Sequence, residues 1–263
     1  MIKKLAMLLV ILGAIGANPT TTLGANPTTT LTVNVTPSTT IALAQKVTDP
    51  LASTAVSDRQ ITVSAIPLGQ TVFGTILWET SSNPGATGTL DTIKVGNQTA
   101  TVLGHFANAR FQGDGLGITV WWLPNVQGSP TTIDYVSSTG GFWYDSSEVS
   151  VFSGIPANAT VDAINGAGYS PTGCCSTPND LLASPNITPS ASGDFLYGTG
   201  VMYDGGGPTF NLGSGWIGVN VLNGTFNFRD EWQVDNLTSP IAATFQSKFS
   251  TGAAAYAAIV AIK

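Results

Sequence analysis

The run Leu90-Asp91-Thr92-Ile93-Lys94-Val95-Gly96-Asn97-Gln98-Thr99-Ala100-Thr101-Val102-Leu103 reads as two β-strands joined by a tight turn. On its first arm Ile93 and Val95 alternate with Thr92 and Lys94, the two-residue period of a strand with one apolar face. Gly96-Asn97 is a dipeptide of the kind that reverses a chain between two strands. Comparable runs, bounded by Gly, Pro, Asn and Ser, recur on both sides. Upstream lie Ile61–Ile66 and Thr71–Glu79. Downstream lie Gly117–Leu123, Thr131–Val136, Trp143–Phe152, Asp194–Tyr203, Gly215–Val221, Thr225–Val234, Ile241–Phe245 and Ala254–Ile262. Apart from a short turn at Asn179–Leu182, no stretch carries a capped 3.6-residue period. The expectation is an all-β protein, a two-layer antiparallel β-sandwich of jelly-roll type with an extended N-terminal segment. A long loop, Asn165 to Ser192, is expected to leave one end of it.

The chain start has its own logic. Met1-Ile2-Lys3-Lys4 is basic, Leu5 to Ile15 is apolar apart from Gly13, and small residues follow through Ala17. This is the layout of a secretory signal over residues 1–17, and it is too short for a permanent membrane anchor. Residues 18–60 then form a Thr/Pro-rich extension that opens on a tandem repeat, Gly16–Leu23 followed by Gly24–Leu31. Within it Leu31, Val33 and Val35 alternate with Thr32, Asn34 and Thr36, so a strand here has one apolar face that must find cover. Residues 61–263 are expected to form the sandwich domain.

Charged residues make up only 9% of the chain, against about 25% in ordinary soluble domains. The net charge of −6 and the lack of any Lys/Arg run exclude a nucleic-acid partner, whose phosphates require basic patches. The two cysteines, Cys174 and Cys175, are adjacent and so leave a strained vicinal disulfide, a bond to another chain, or free thiols.

Several segments carry a resemblance: Val149-Ser150-Val151-Phe152-Ser153-Gly154, Gly193-Asp194-Phe195-Leu196-Tyr197-Gly198, Gly213-Ser214-Gly215-Trp216, Asp230-Glu231-Trp232-Gln233-Val234 and Ala253–Lys263. Together they resemble uncharacterised secreted jelly-roll modules of environmental bacteria, over roughly Ile61 to Lys263. At the level of fold the chain also resembles concanavalin-A-like lectin and laminin-G-like sandwiches. These motifs mark strands and turns, so the resemblance implies fold and an extracellular or cell-surface location and assigns no catalytic residue.

The search for chemistry returns little. His105 stands alone, with no Gly-x-Ser-x-Gly elbow, so a hydrolase triad lacks its parts, and His105 reads as a surface or strand-end residue. Asp230 and Glu231 are neighbours on a strand, point to opposite faces and cannot share a substrate. With Arg229 they read as a partly solvated ion pair. Calcium is the one cofactor with candidate ligands, Asp145, Glu148 and Asp204, but no Asp-x-Asp-x-Asp-Gly loop is present. Trp121 and Trp122 are adjacent, as are Trp143 and Tyr144. In a two-layer sandwich one ring of each pair is expected to point outward, toward a glycan, a partner or a covering loop. Asn-x-Ser/Thr glycosylation sites occur at Asn34, Asn97, Asn158, Asn186, Asn223 and Asn236.

These observations favour a non-catalytic extracellular structural or adhesive protein. It would be a homo-oligomer or filament subunit whose Leu31–Val35 strand adds to a neighbour's sheet. The alternatives are a carbohydrate-binding module using the aromatic pairs, and a polysaccharide-active enzyme.

Overall fold

The computed structural model describes residues 40–49, 58–80, 92–111, 114–136, 142–169, 181–203, 210–222, 226–235, 238–247 and 254–263. In chain order the strands are β1 (Ala42–Asp49), β2 (Asp58–Thr62), β3 (Thr71–Thr80), β4 (Thr92–Val95), β5 (Gln98–Thr99), β6 (Thr101–Phe111), β7 (Asp114–Leu123) and β8 (Thr132–Val136). There follow β9 (Phe142–Ser153), β10 (Val161–Tyr169), β11 (Leu181–Ala183), β12 (Phe195–Tyr203), β13 (Phe210–Leu212), β14 (Ile217–Leu222), β15 (Phe226–Val234), β16 (Thr244–Ser247) and β17 (Ala254–Ile262). No helix occurs among the described residues.

Two five-stranded antiparallel sheets make the central sandwich, in the orders β1-β9-β3-β7-β6 and β10-β17-β12-β15-β14. Phe73, Leu77, Ile118, Val120, Trp122 and Phe152 of the first sheet meet Phe195, Tyr197, Val201, Phe228, Tyr256 and Val260 of the second. Phe73 stacks on Tyr197 at 4.9 Å, and Phe152 meets Phe195 edge-on at the same separation. Burying an apolar side chain of this size stabilises by roughly 1.5–3 kcal/mol, and this layer is the centre of the fold.

Each central sheet is also covered on its other side. The order β2-β8-β4-β5 forms a sheet over the first, with Ile61, Ile93, Val95, Ile133 and Tyr135 packed on Val72, Ile76, Trp78, Trp121 and Val149. The order β11-β16-β13 covers the second, bringing Leu182 and Phe245 onto Leu196, Met202, Ala257 and Ile259. The expected two-layer sandwich therefore sits inside a four-sheet stack. That explains why β17 (Ala-Ala-Tyr-Ala-Ala-Ile-Val-Ala-Ile) is apolar on both faces, as a doubly covered strand must be. Two cross-strand glycines let large rings lie flat between layers. A Cβ on Gly74 would stand 2.2 Å from its partner Trp121, and one on Gly117 would stand 2.2 Å from its partner Trp78.

Three boundaries depart from expectation. The compact unit runs from Ile41 to Lys263, so the segment up to residue 60 is not all extension. Here β1 pairs with β9 along Ala42–Asp49, and Arg59 of β2 grips the Asp49 carboxylate through Nε at 2.5 Å and Nη2 at 2.6 Å. The opening hairpin divides after β5: Ala100 is buried, and the chain enters the first central sheet as β6, which runs on to Phe111. Within the expected loop Asn165–Ser192, β10 continues to Tyr169 and a strand starts at Leu181, where the short turn Asn179–Leu182 is expected to end. Leu31, Val33, Val35, Cys174, Cys175 and Asp204 lie outside the described residues.

Candidate functional site

Strand alternation decides which polar groups are sealed inside. On β9, Phe152 faces the second central sheet, so Ser150 and Glu148 do too. On β15, Phe228, Asp230 and Trp232 face the first sheet, while Arg229, Glu231 and Gln233 face the outer one. Glu148 and Asp230 thus meet across the central sandwich, both with 0% exposure. The Tyr197 hydroxyl donates to Asp230 Oδ2 at 2.5 Å, and Ser150 Oγ stands 3.4 Å from the same oxygen.

Two buried carboxyls in contact cannot both be ionised, because each oxygen would then be only an acceptor and the charges would repel. Burial pushes Asp230 up to about 6. Burial, and then the charge of Asp230, holds Glu148 well above the usual carboxylate range. At neutral pH the pair keeps a proton, and both Glu148 oxygens and Asp230 Oδ1 lack a hydrogen-bond partner among the described residues. The Tyr197 hydroxyl stays protonated, raised by burial and by the Asp230 charge.

Glu231 points the other way. Its Oε1 accepts the Thr244 N–H at 3.1 Å, and its Oε2 accepts the Gly213 N–H at 3.3 Å. These residues adjoin β16 and β13, so one carboxyl ties the outer sheet to β15. Burial pushes Glu231 up to about 8, opposed by those two backbone donors. Near the C-terminus, Asp162 of β10 accepts Lys263 Nζ at 2.7 Å and the Ser190 N–H at 2.6 Å. These bonds, that of Lys263 foremost, hold its carboxyl well below the usual range.

Chemically, the Glu148–Asp230 pair has the acid and base character that hydrolysis uses, but it is closed to any substrate by the two sheets that hold it.

The sequence-derived candidates fall out unevenly. Trp121 and Trp122 do point to opposite faces, yet neither is exposed, at 0% and 5%. Trp122 packs 5.8 Å from Phe73 in the central layer, and Trp121 meets Tyr135 edge-on at 6.1 Å under the outer sheet. An outward ring required a bare sheet face, and the outer sheet removes it. The partly solvated Arg229–Asp230–Glu231 ion pair is corrected for the same reason: both carboxyls have 0% exposure. Glu148, a sequence candidate for calcium, is buried against Asp230. Among the described residues no group of three His, Cys, Asp or Glu could hold a metal. The side chains of Trp143, Tyr144 and Asp145 lie outside the description, although their backbone belongs to β9. His105 is an exposed residue of β6, with Nδ1 2.8 Å from Thr119 Oγ1, in line with its reading as a surface or strand-end residue. Asn97, Asn158 and Asn186 are all exposed.

The Glu148–Asp230 contact escaped the sequence reading, although a signal existed. Each carboxyl is in step with core aromatics on its own strand, Glu148 with Phe152 and Asp230 with Phe228 and Trp232. Neither a protein-family model nor a curated protein matches this sequence.

Proposed function

We propose that this chain is a non-catalytic, exported structural or adhesive subunit that assembles with copies of itself through its N-terminal segment. The observation that carries this reading is where the domain places its reactive groups. Its convergent carboxyls are enclosed between sheets, Asp230 bonded to Tyr197 and Glu231 to backbone N–H groups, and the face that would have displayed Trp121 is roofed over. A stack of mutually covering sheets with sparse surface charge suits a rigid building unit, and the apolar alternation of Leu31, Val33 and Val35 ahead of β1 supplies a strand in need of a partner. The basic-then-apolar start supports export.

The test is deletion. Because β1 belongs to the sheet from Ala42, the deletion should stop short of it and remove residues 18–39. The expected result is a protein with the parent's β-rich circular dichroism and melting behaviour that no longer forms species larger than a monomer. Assembly that survives the deletion would overturn the proposal.

A further inference from the structure

The central sandwich has four edge strands, β1 and β6 in one sheet and β10 and β14 in the other. Exposed edges invite pairing with other chains, and proteins guard them with charge, bulges or cover. The edge strand β1 carries Lys46 and Asp49 and is bulged at Leu43/Gln45, β6 carries His105 and Arg110, and β10 carries Asp162. The β6/β10 corner is also plugged, because the Phe106 ring lies against both Gly104 and Gly166, within 2.7 Å of where a Cβ on either would stand. The fourth edge differs. β14 is bulged like β1, between Gly218 and Asn220, but reads Ile-Gly-Val-Asn-Val-Leu, with no titratable residue at all.

The corner beside it is apolar. Ile217 is 51% exposed and lies opposite Trp232 on β15; two residues on, Val234 is 41% exposed on the same face. These two are among the three large hydrophobic residues exposed in the described domain. Trp232 is only partly buried and packs 5.6 Å from Phe152 and 5.8 Å from Phe195. Across the corner, Leu43 pairs with Phe152 and, like Ile41, is only partly buried against the core. Among the described residues nothing covers the apolar side chains of Ile217 and Val234 at this corner.

We infer that the edge of β14, unpaired among the described residues, is the acceptor for the Leu31–Val35 strand of a second copy of this chain, with Leu31, Val33 and Val35 laid into the corner over Ile217, Trp232 and Val234. This rests on the assembly reading above and adds to it the receiving surface. The match is one of length and kind. Five residues with three apolar side chains on one face suit a six-residue edge whose bulge between Gly218 and Asn220 limits a longer ladder. A neighbouring copy is favoured over the chain's own segment because Pro37 biases Thr36 toward extended backbone and away from the tight reversal that would fold the strand back beside β1. The contact joins unlike surfaces, so copies add head to tail, in an open series wherever the rotation between them does not close a ring.

The experiment uses the full mature chain in two variants, followed by sedimentation velocity. Ile217→Lys places a charge on the acceptor edge at an exposed position, and Val33→Asp spoils the donor strand. Each variant alone is expected to be a monomer that melts as the parent does. Mixed, they should form a one-to-one heterodimer and stop there, since one keeps a sound strand and the other a sound edge. Ile217→Lys that assembles like the parent, beside a monomeric Val33→Asp, would leave N-terminal assembly standing and overturn β14 as the acceptor. Assembly by both variants would overturn the assembly reading itself. A parent that is monomeric at every concentration, with Val33→Asp lowering its melting temperature, would show the strand closing on its own domain and overturn the inference.

Discussion

Raising the pH should loosen this domain, and Glu231 is the residue on which to test it. Its carboxyl ordinarily titrates at 4.5 and is held up to about 8 in the fold, so the folded state binds a proton that the unfolded state has released. The stabilisation linked to that proton is complete below about 4.5, declines as pH rises, and is gone above about 8. At ~1.4 kcal/mol per pH unit the interval is worth on the order of 5 kcal/mol. For a domain of this size each kcal/mol moves the melting temperature by about 2–4 °C, so a fall of about 10–20 °C is expected between pH 4.5 and pH 8. The assay is thermal unfolding by circular dichroism across that range, for the parent and for Glu231→Gln. The variant cannot ionise, and it faces one of the two backbone N–H groups with an amide NH2. It should lose about 1–3 kcal/mol at pH 5 for that donor. It should then show a much flatter slope, meeting or passing the parent near pH 8. A parent melting temperature that is level or rising from pH 5 to pH 8, or a variant with the parent's slope, would refute the reasoning.

Other perturbations read the layers separately. Asp230→Asn removes the lower-titrating member of the central pair, held up to about 6, and should flatten the part of the stability loss that falls between about 4 and 6, seen in the same melts. Gly74→Ala drives a methyl group into the Trp121 ring and should cost about 1–3 kcal/mol or more by denaturant unfolding, whereas Gly74 in an open site would tolerate it. Trp121→Ala and Trp122→Ala should each cost about 3–5 kcal/mol, because both rings are interior; an unchanged midpoint in either would restore the exposed-platform reading. Arg59→Ala strips a two-pronged bond from a partly buried Asp49 and should cost about 1–3 kcal/mol, with faster amide exchange along β1.

Much of the architecture was legible because period-two alternation and glycine-bounded runs are local signals. Thr71–Glu79, Trp143–Phe152 and Ala254–Ile262 became β3, β9 and β17 with ends shifted by a residue or so. What failed was anything depending on layer count. A strand with apolar residues on both faces looks the same in sequence whether its second face is roofed or bare, so Trp121 and Trp122 were expected to divide between core and surface. β10 escaped because Val-Asp-Ala-Ile-Asn-Gly-Ala-Gly-Tyr has no alternation; its Gly166 is needed for the Phe106 ring. The carboxyl contact was hidden more deeply. Nothing within β9 or β15 states that Glu148 and Asp230, eighty-two positions apart, share one layer. Their common step with core aromatics was the available clue.

The claim that matters most is assembly. Negative-stain microscopy of the purified mature protein, beside a sedimentation measurement of the same sample, tests it directly. The account predicts linear, head-to-tail particles whose length grows with concentration. A homogeneous population of single domains at every concentration would contradict it.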